Sequence, residues 1–257
     1  MSVQSLYKEE TMIGEGAGKT GVLAGTLRDV RTWGEQKVET VRLSVSNVYL
    51  ARGEAGSVLV DAGDPGNGKK IMEGLAKVGA GVDEVALILL THGHVDHFGS
   101  AAELRKLTGA PVAIHEKDAE NLRRGRNPHL PPTGLEGRLI KPFLKHQAPP
   151  VEPDVLLGGE AGLEEWGVRG RVIETPGHTP GSVSVVLDGG EAIVGDVLAG
   201  GYLGFKVMPR SPRYHLYAED PGEVLRSIKK VLDLSPTVVF TGHGGPLAPE
   251  AVRRRFS

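Results

Sequence analysis

The chain of 257 residues contains no cysteine. Disulfide bonds, thiolate metal sites and a cysteine nucleophile are therefore excluded, and any metal must be held by histidine, aspartate or glutamate. The net charge of −2 gives no general affinity for nucleic acid or for an anionic membrane. Residues 1–10 contain no apolar signal core and no window reaches the length of a membrane span, so we expect a cytoplasmic protein.

A complete phosphate-binding loop is also missing. Residues 14–20 read GEGAGKT, but the Walker pattern requires a glycine where the chain has Ile13. Residues 1–12 are polar and irregular, so no buried strand precedes this stretch. We interpret it as a glycine-rich turn.

The most informative stretch is residues 91–97, which read THGHVDH. It follows the apolar run 85–90, which is typical of a strand buried on both faces. Imidazole nitrogen and carboxylate oxygen are the donors that Zn²⁺, Fe²⁺ or Mn²⁺ prefer. The pattern therefore predicts a transition-metal site at the carboxyl end of this strand, in preference to a solvated histidine-rich turn.

Further strands end in the same way. Residues 171–175 lead to His178, residues 191–195 to Asp196 and residues 237–241 to His243. Because carboxyl ends of neighbouring strands can lie at one edge of a sheet, these side chains can converge although they are far apart in sequence. Asp61 follows the strand predicted at 57–60, and either forms a turn or accepts a hydrogen bond that orients a metal-binding histidine.

Between these strands the apolar spacing predicts helices over 67–78, 98–107 and about 221–234. The β-rich run 38–51 and residues 57–60 predict two antiparallel strands, and residues 111–115 a further one. Residues 116–169 differ in character, with clustered arginines and proline-rich flanks. We predict that 116–169 is a lid or substrate-binding insertion with a short helix within 136–146, although a decorative surface insertion remains open.

The ordered motifs identify a resemblance. HxHxDH at His92 to His97, PGHTPGS around His178, GD at Asp196 and GHG around His243 resemble the metallo-β-lactamase superfamily over about residues 40–245. The resemblance implies an α+β fold, a four-layer αββα sandwich, here as a single domain over 1–257 with the helical insertion. It also implies a ligand set, which is His92, His94 and His178 for one metal, Asp96, His97 and His243 for a second, and Asp196 as the bridge.

The family chemistry implied is hydrolysis. Two divalent ions about 3.5–4 Å apart can share a water and lower its pKa toward about 7. The hydroxide then attacks an ester, thioester or lactone carbonyl, with Asp96 orienting it. Zinc is the first expectation for both ions, with iron or manganese as alternatives.

The substrate contacts depart from known branches of the family. Glyoxalase II-like thioesterases place a basic residue and a tyrosine after the bridging aspartate, whereas this chain has Lys206 followed by Met208. Homoserine-lactone lactonases place a tyrosine where this chain has Ala199, and Tyr202 substitutes only if the loop folds back. We predict that Lys206 and Tyr202 contact the substrate.

Alternative functions remain on the same scaffold. A mononuclear iron persulfide dioxygenase would use His92, His178 and Asp196 alone, and a phosphodiesterase of the same superfamily is a second alternative. A non-catalytic binding module is disfavoured because no ligand is missing. The expected partner is a small-molecule substrate without nucleic acid or membrane, and a homodimer is left open.

Overall fold

The computed structural model describes residues 37–257. The glycine-rich turn predicted at 14–20 lies outside the described residues, so a single domain over 1–257 stays a prediction. The strands are β1 (Lys37–Arg42), β2 (Asn47–Arg52), β3 (Ser57–Val60), β4 (Val85–Leu89), β5 (Val112–His115), β6 (Val155–Leu157), β7 (Ala161–Gly162), β8 (Gly170–Glu174), β9 (Val183–Leu187), β10 (Glu191–Ile193), β11 (Ala199–Tyr202), β12 (Val207–Arg213) and β13 (Val238–Phe240). The α-helices are α1 (Gly68–Lys77), α2 (Val95–Phe98), α3 (Ala101–Thr108), α4 (Ala119–Arg124), α5 (Leu135–Ile140), α6 (Pro221–Asp233) and α7 (Pro249–Phe256).

Two large sheets form the centre of the fold. The first has the order β1-β2-β3-β4-β5-β6, the second the order β13-β10-β9-β8-β7, and β11 pairs with β12 in a separate hairpin. Alternation along β3 separates the faces of the first sheet, since Val58 and Val60 pack toward the second sheet and Leu59 packs toward the outer helices. The first sheet is therefore buried on both faces.

The second sheet is covered in the same way. Val183 and Val185 of β9 join the core between the sheets, whereas Val186 lies in the outer core with Val224 and Ile228 of α6. Helix α6 begins where the Asp220 carboxylate accepts hydrogen bonds from the backbone of residues 222 and 223. The succession helix, sheet, sheet, helix confirms the predicted αββα sandwich.

Several predicted elements are corrected in detail. The run 38–51 is two strands, because the chain turns at residues 43–46 and β1 pairs antiparallel with β2. The helix predicted at 98–107 is broken between α2 and α3, and the loop predicted after Asp196 contains the hairpin β11–β12. Strand β9 and helix α7 had no predicted counterpart.

The predicted insertion is shorter than 116–169. Strand β6 pairs in parallel with β5 and so completes the first sheet, while β7 is an edge strand of the second. Of the predicted insertion, the segment between β5 and β6, which carries α4 and α5, lies outside the two large sheets. The short helix predicted within 136–146 corresponds to α5 and the 3₁₀ turn Lys141–Phe143 that follows it.

The strand directions position the predicted site. Strands β3, β4 and β5 are parallel, as are β10 and β13, so the carboxyl ends within each group lie at a common edge. The two sheets are also joined near this edge, since the backbone N–H of Val183 donates to Thr91 O and that of Asn47 donates to Gly242 O. Within residues 37–257 no helix has the length and apolarity needed to cross a bilayer.

Candidate metal centre

The seven side chains predicted as ligands lie together in the structure. The turn after β4 carries His92 and His94, and α2 carries Asp96 and His97. The remaining three follow the ends of β8, β10 and β13. Residues that are far apart in sequence therefore form a single cluster at one edge of the sandwich. The histidines of this cluster are at most 4% exposed.

The first group consists of His92, His94 and His178. His178 Nε2 lies 3.2 Å from His92 Nε2 and 2.9 Å from His94 Nδ1. The Nδ1–H of His178 donates to Tyr217 O at 2.9 Å, so the Nε2 of His178 carries a lone pair and no proton. Thr91 Oγ1 donates to Asp61 and lies 3.0 Å from His92 Nδ1, so it accepts from His92 and leaves that Nε2 unprotonated as well.

The second group consists of Asp96, His97 and His243. His243 Nε2 lies 3.3 Å from both Asp96 Oδ2 and His97 Nε2. His97 Nδ1 donates to Asp61 Oδ2 at 2.8 Å, and His243 Nδ1 donates to Val45 O at 2.9 Å. Each ring is thus held from behind, and its Nε2 is directed into the cluster.

Asp196 lies between the two groups. Its Oδ2 is 3.5 Å from His178 Nε2 in the first group, and 3.4 Å from His97 Nε2 and 3.3 Å from His243 Nε2 in the second. Its Oδ1 is buried and has no hydrogen-bond partner. This carboxylate therefore lies close to donor atoms of both groups.

These donors fit divalent metal ions. Lone pairs of several imidazoles face one another and a carboxylate at 2.9–3.7 Å, an arrangement that is repulsive unless protons or a cation separate them. The backbone also leaves room, because a Cβ added at Gly242 would lie 2.2 Å from Asp196 Oδ1 and 2.6 Å from His97 Cε1. Gly242 therefore permits the close approach of this loop to the donors.

The electrostatics of the cluster agree with cation binding. Burial holds the pKa values of His92, His94 and His178 below the ordinary 6.5, so these rings are neutral. Burial opposes protonation of His243 too, but the carboxylates of Asp196 and Asp96 outweigh it and raise its pKa to about 10. A metal ion bound there takes the place of that proton.

Two buried aspartates support the ligands. Asp61, predicted to orient a histidine, accepts from His97 and also from the backbone N–H of Thr91 at 2.8 Å. Asp118 was not predicted. Its carboxylate accepts from Gly93 N, Thr179 Oγ1 and Gly181 N at 2.7, 2.7 and 3.0 Å, and so joins the loop between His92 and His94 to the loop after His178.

A pocket of about 300 Å³ opens beside the cluster, and His94, Asp96 and His243 form part of its wall. Lys206 lines this pocket. Tyr202 is not among its lining residues, and the substrate contacts of both residues stay predictions. Pairing within the hairpin holds Tyr202 opposite Val207, and it lines a separate cavity of about 350 Å³.

His215 is a further site residue that sequence reasoning missed. Its Nε2 lies 3.2 Å from Asp196 Oδ2, and its side chain lines the same pocket. Burial lowers the pKa of His215 to about 3, against the opposing effect of Asp196. No apolar run or motif marks this histidine in the sequence, because β12, which it follows in the connection to α6, reads VMPRSPR and was predicted as part of a loop.

Comparison with known proteins gives consistent relatives. Residues 41–243 match the family model of the metallo-beta-lactamase superfamily. The chain is 30% identical over 242 residues to the probable metallo-hydrolase YflN of Bacillus subtilis, with 84% of this chain and 87% of that protein covered. It is 31% identical over 202 residues to the probable metallo-hydrolase YqgX of the same organism, with 77% and 85% covered.

Solved structures of similar proteins agree with the family match. The metallo-beta-lactamase family protein TTHA1429 of Thermus thermophilus has 30% identity and a TM-score of 0.61, over 86% of this chain and 76% of that one. TTHA1623, solved in a di-iron-bound form, has 27% identity and a TM-score of 0.62, over 83% and 96%. The chain therefore belongs to the metallo-β-lactamase superfamily and is a metal-dependent hydrolase.

Proposed function

We propose that the site holds two divalent ions and hydrolyses an ester, thioester or lactone. The observation that carries this proposal is the division of the donors into His92, His94 and His178 on one side and Asp96, His97 and His243 on the other. Asp196 Oδ2 lies within 3.7 Å of ring nitrogens from both groups. A shared carboxylate between two sets of three donors is typical of a dinuclear centre.

The chemistry that the ions supply when bound is a water whose pKa is lowered toward about 7, so that hydroxide is available near neutral pH. Zinc is our first proposal, with iron or manganese as alternatives, because imidazole and carboxylate donors suit all three. TTHA1623, a structural relative, has been solved with two irons.

The residues of the chain supply orientation. Asp61, Tyr217 O and Val45 O each accept a hydrogen bond from a histidine Nδ1–H, which fixes the tautomer and the ring direction. The Asp96 side chain is 27% exposed and lines the pocket, so its carboxylate can accept a proton from the attacking water or hold it in line with the carbonyl.

The roof of the pocket is proposed to select the substrate. We define the roof as residues 119–150, which carry α4 and α5, together with the hairpin β11–β12. We infer that residues 119–150 act as a lid and that Lys206 binds an anionic group of a small-molecule substrate. The net charge of −2 supports a small molecule over nucleic acid.

The test combines metal content with activity. Purified, metal-replete protein should contain two ions per chain by elemental analysis, and should hydrolyse a member of an ester, thioester and lactone panel. A phosphodiester is included to test that alternative. One iron per chain with O₂ uptake on a persulfide would replace this proposal by the mononuclear dioxygenase.

A further inference from the structure

The pocket beside the metal cluster is lined by two kinds of residue. The metal-binding side consists of the cluster residues and His215. The apolar side consists mainly of residues of the roof, namely Leu130, Ile140, Phe143, Leu144 and Phe205, and all of these except Phe143 pack in one apolar cluster with Leu216 and Tyr217. A volume of about 300 Å³ is at the small end of ligand pockets, so it fits a compact group.

Phe205 brings the apolar side into contact with the metal-binding side. Its ring stacks on His243, with centroids 4.6 Å apart and planes at 27°, and on His215 at 5.4 Å and 10°. The backbone of Phe205 has φ of +65°, in the left-handed region that non-glycine residues rarely adopt. An apolar surface therefore lies directly next to the position where a substrate carbonyl would meet the metals.

The polar groups of the roof side already have partners. Asn127 accepts from Val95 N and donates to Lys145 O, and the hydroxyl of Tyr217 donates to Gly137 O. Lys145 lies 3.7 Å from Asp64. A polar substrate group placed against this side would lose its hydrogen bonds to water without replacement.

Lys206 is the exception. Within the described part of the chain the ammonium of Lys206 makes no hydrogen bond or ion pair, and the side chain lines the same pocket. It is exposed, so it lies toward solvent and not in the depth of the pocket. The apolar residues are thus left to bind the part of the substrate closest to the metals.

We propose that the substrate carries a compact apolar chain or ring attached directly to the scissile carboxyl group. This inference rests on the proposed hydrolytic function and names its substrate class. Hydrolysis adds the oxygen of water to the carbonyl carbon and breaks the C–O or C–S bond. The products are a carboxylate, a proton and the alcohol or thiol, and the apolar group lies against Phe205 and Leu144 throughout.

The test measures kcat/KM of the metal-loaded protein on two ester series. One series lengthens the acyl group of p-nitrophenyl esters from acetate to octanoate, and the other lengthens the alcohol of alkyl acetates. We expect an increase of about fourfold per methylene in the acyl series until the pocket is full, the change that corresponds to about 0.8 kcal/mol per buried CH₂. Equal kcat/KM along the acyl series overturns the inference, and so does a length dependence confined to the alkyl acetates.

A matched pair of variants locates the effect. Leu144→Ala removes a lining side chain and should flatten the length dependence, whereas Leu139→Ala removes an exposed leucine of α5 that does not line the pocket and should not. Phe143→Ala is a second lining variant, and because Phe143 is 85% exposed we expect it to leave the fold intact. Identical behaviour of the lining and control variants contradicts the inference.

Binding separates this inference from the proposed function. Calorimetric titration of metal-loaded protein with acetate, butyrate, hexanoate and octanoate requires no turnover. Affinity that rises with chain length and is reduced in Leu144→Ala supports the apolar subsite even if no ester is hydrolysed, in which case only the hydrolytic proposal fails. Affinity that does not change with length overturns the subsite itself.

Discussion

The metal cluster and the roof above it are held in place by different interactions. The cluster histidines are buried, and their rings are fixed by hydrogen bonds to Asp61 and to backbone carbonyls next to the strand ends. The roof is tied across its own two halves by Glu136 of α5, which pairs with Arg213 at 2.7 Å and accepts from Gly204 N at 2.9 Å. It also leaves large apolar side chains in solvent, with Leu135 71% and Phe143 85% exposed.

This difference between the cluster and the roof corresponds to two different tasks, metal binding and substrate binding. Donors anchored to buried strands keep a fixed geometry, which the chemistry requires. A roof at the surface, with large apolar side chains in solvent, can change those side chains with little effect on the cluster. We therefore expect variants of the cluster to affect metal content and turnover, and variants of the roof to affect substrate binding alone.

The largest effect should come from the ligands. His97→Ala removes a donor of the second group, so occupancy should fall toward one ion and hydrolysis by orders of magnitude. Elemental analysis and kcat measure the two effects separately. A His97→Ala protein with full metal content and normal turnover would remove the basis for treating the cluster as a dinuclear centre.

The second largest effect should come from substitution of Asp118. Asp118→Ala leaves Gly93 N, Thr179 Oγ1 and Gly181 N without an acceptor, and loosens the two loops that carry the first group. We expect metal affinity to fall by about 10- to 100-fold, as when other residues behind metal ligands are removed. Asp118→Asn retains one oxygen and should lie between wild type and alanine. Metal titration measures the affinity, with thermal unfolding recorded to detect loss of fold.

Lys206→Ala tests the prediction that variants of the roof affect substrate binding and leave the metal cluster unchanged. A charge-assisted contact with an anionic substrate contributes about 1.5–3 kcal/mol, so KM should rise by about tenfold or more while metal content stays at wild type. Lys229→Ala, an exposed lysine on α6, is the matched control. If KM is unchanged on an anionic substrate, the anchor does not lie in the hairpin.

The smallest effect should come from Glu136→Gln, which weakens the link between the halves of the roof. We expect a KM change of a few-fold with unchanged metal content, and no change in Glu120→Gln on the surface of α4. Burial acts to raise the pKa of Glu136, yet the Gly204 amide and Arg213 lower it below 4.5. A carboxyl group whose pKa is lowered in the folded state stabilises the fold at pH values above its unfolded pKa. The contacts of Glu136 with Arg213 and Gly204 should therefore persist from neutral pH to below pH 4.5 and then weaken. A pH series of KM in wild type and Glu136→Gln measures this.

The sequence predicted the cluster better than the roof for a physical reason. Histidines and aspartates directly after apolar runs such as 85–90 carry a local signal, and parallel strand directions bring them together. Asp118 and His215 carry no such signal. The partners of Asp118 are 25 to 63 residues away along the chain, and tertiary packing selects them, as it selects Asp196 for His215. The pairing of Tyr202 opposite Val207 in the hairpin was likewise not marked in the sequence.

Gly242 permits a different kind of intervention. Its backbone does not adopt the left-handed region, so the obstacle to alanine is the contact of the added methyl group with Asp196 Oδ1 and the His97 ring. Gly242→Ala would thus displace two of the donors while every donor atom remains in the protein. Such a variant would test how far metal binding depends on the position of the donors, with their number unchanged.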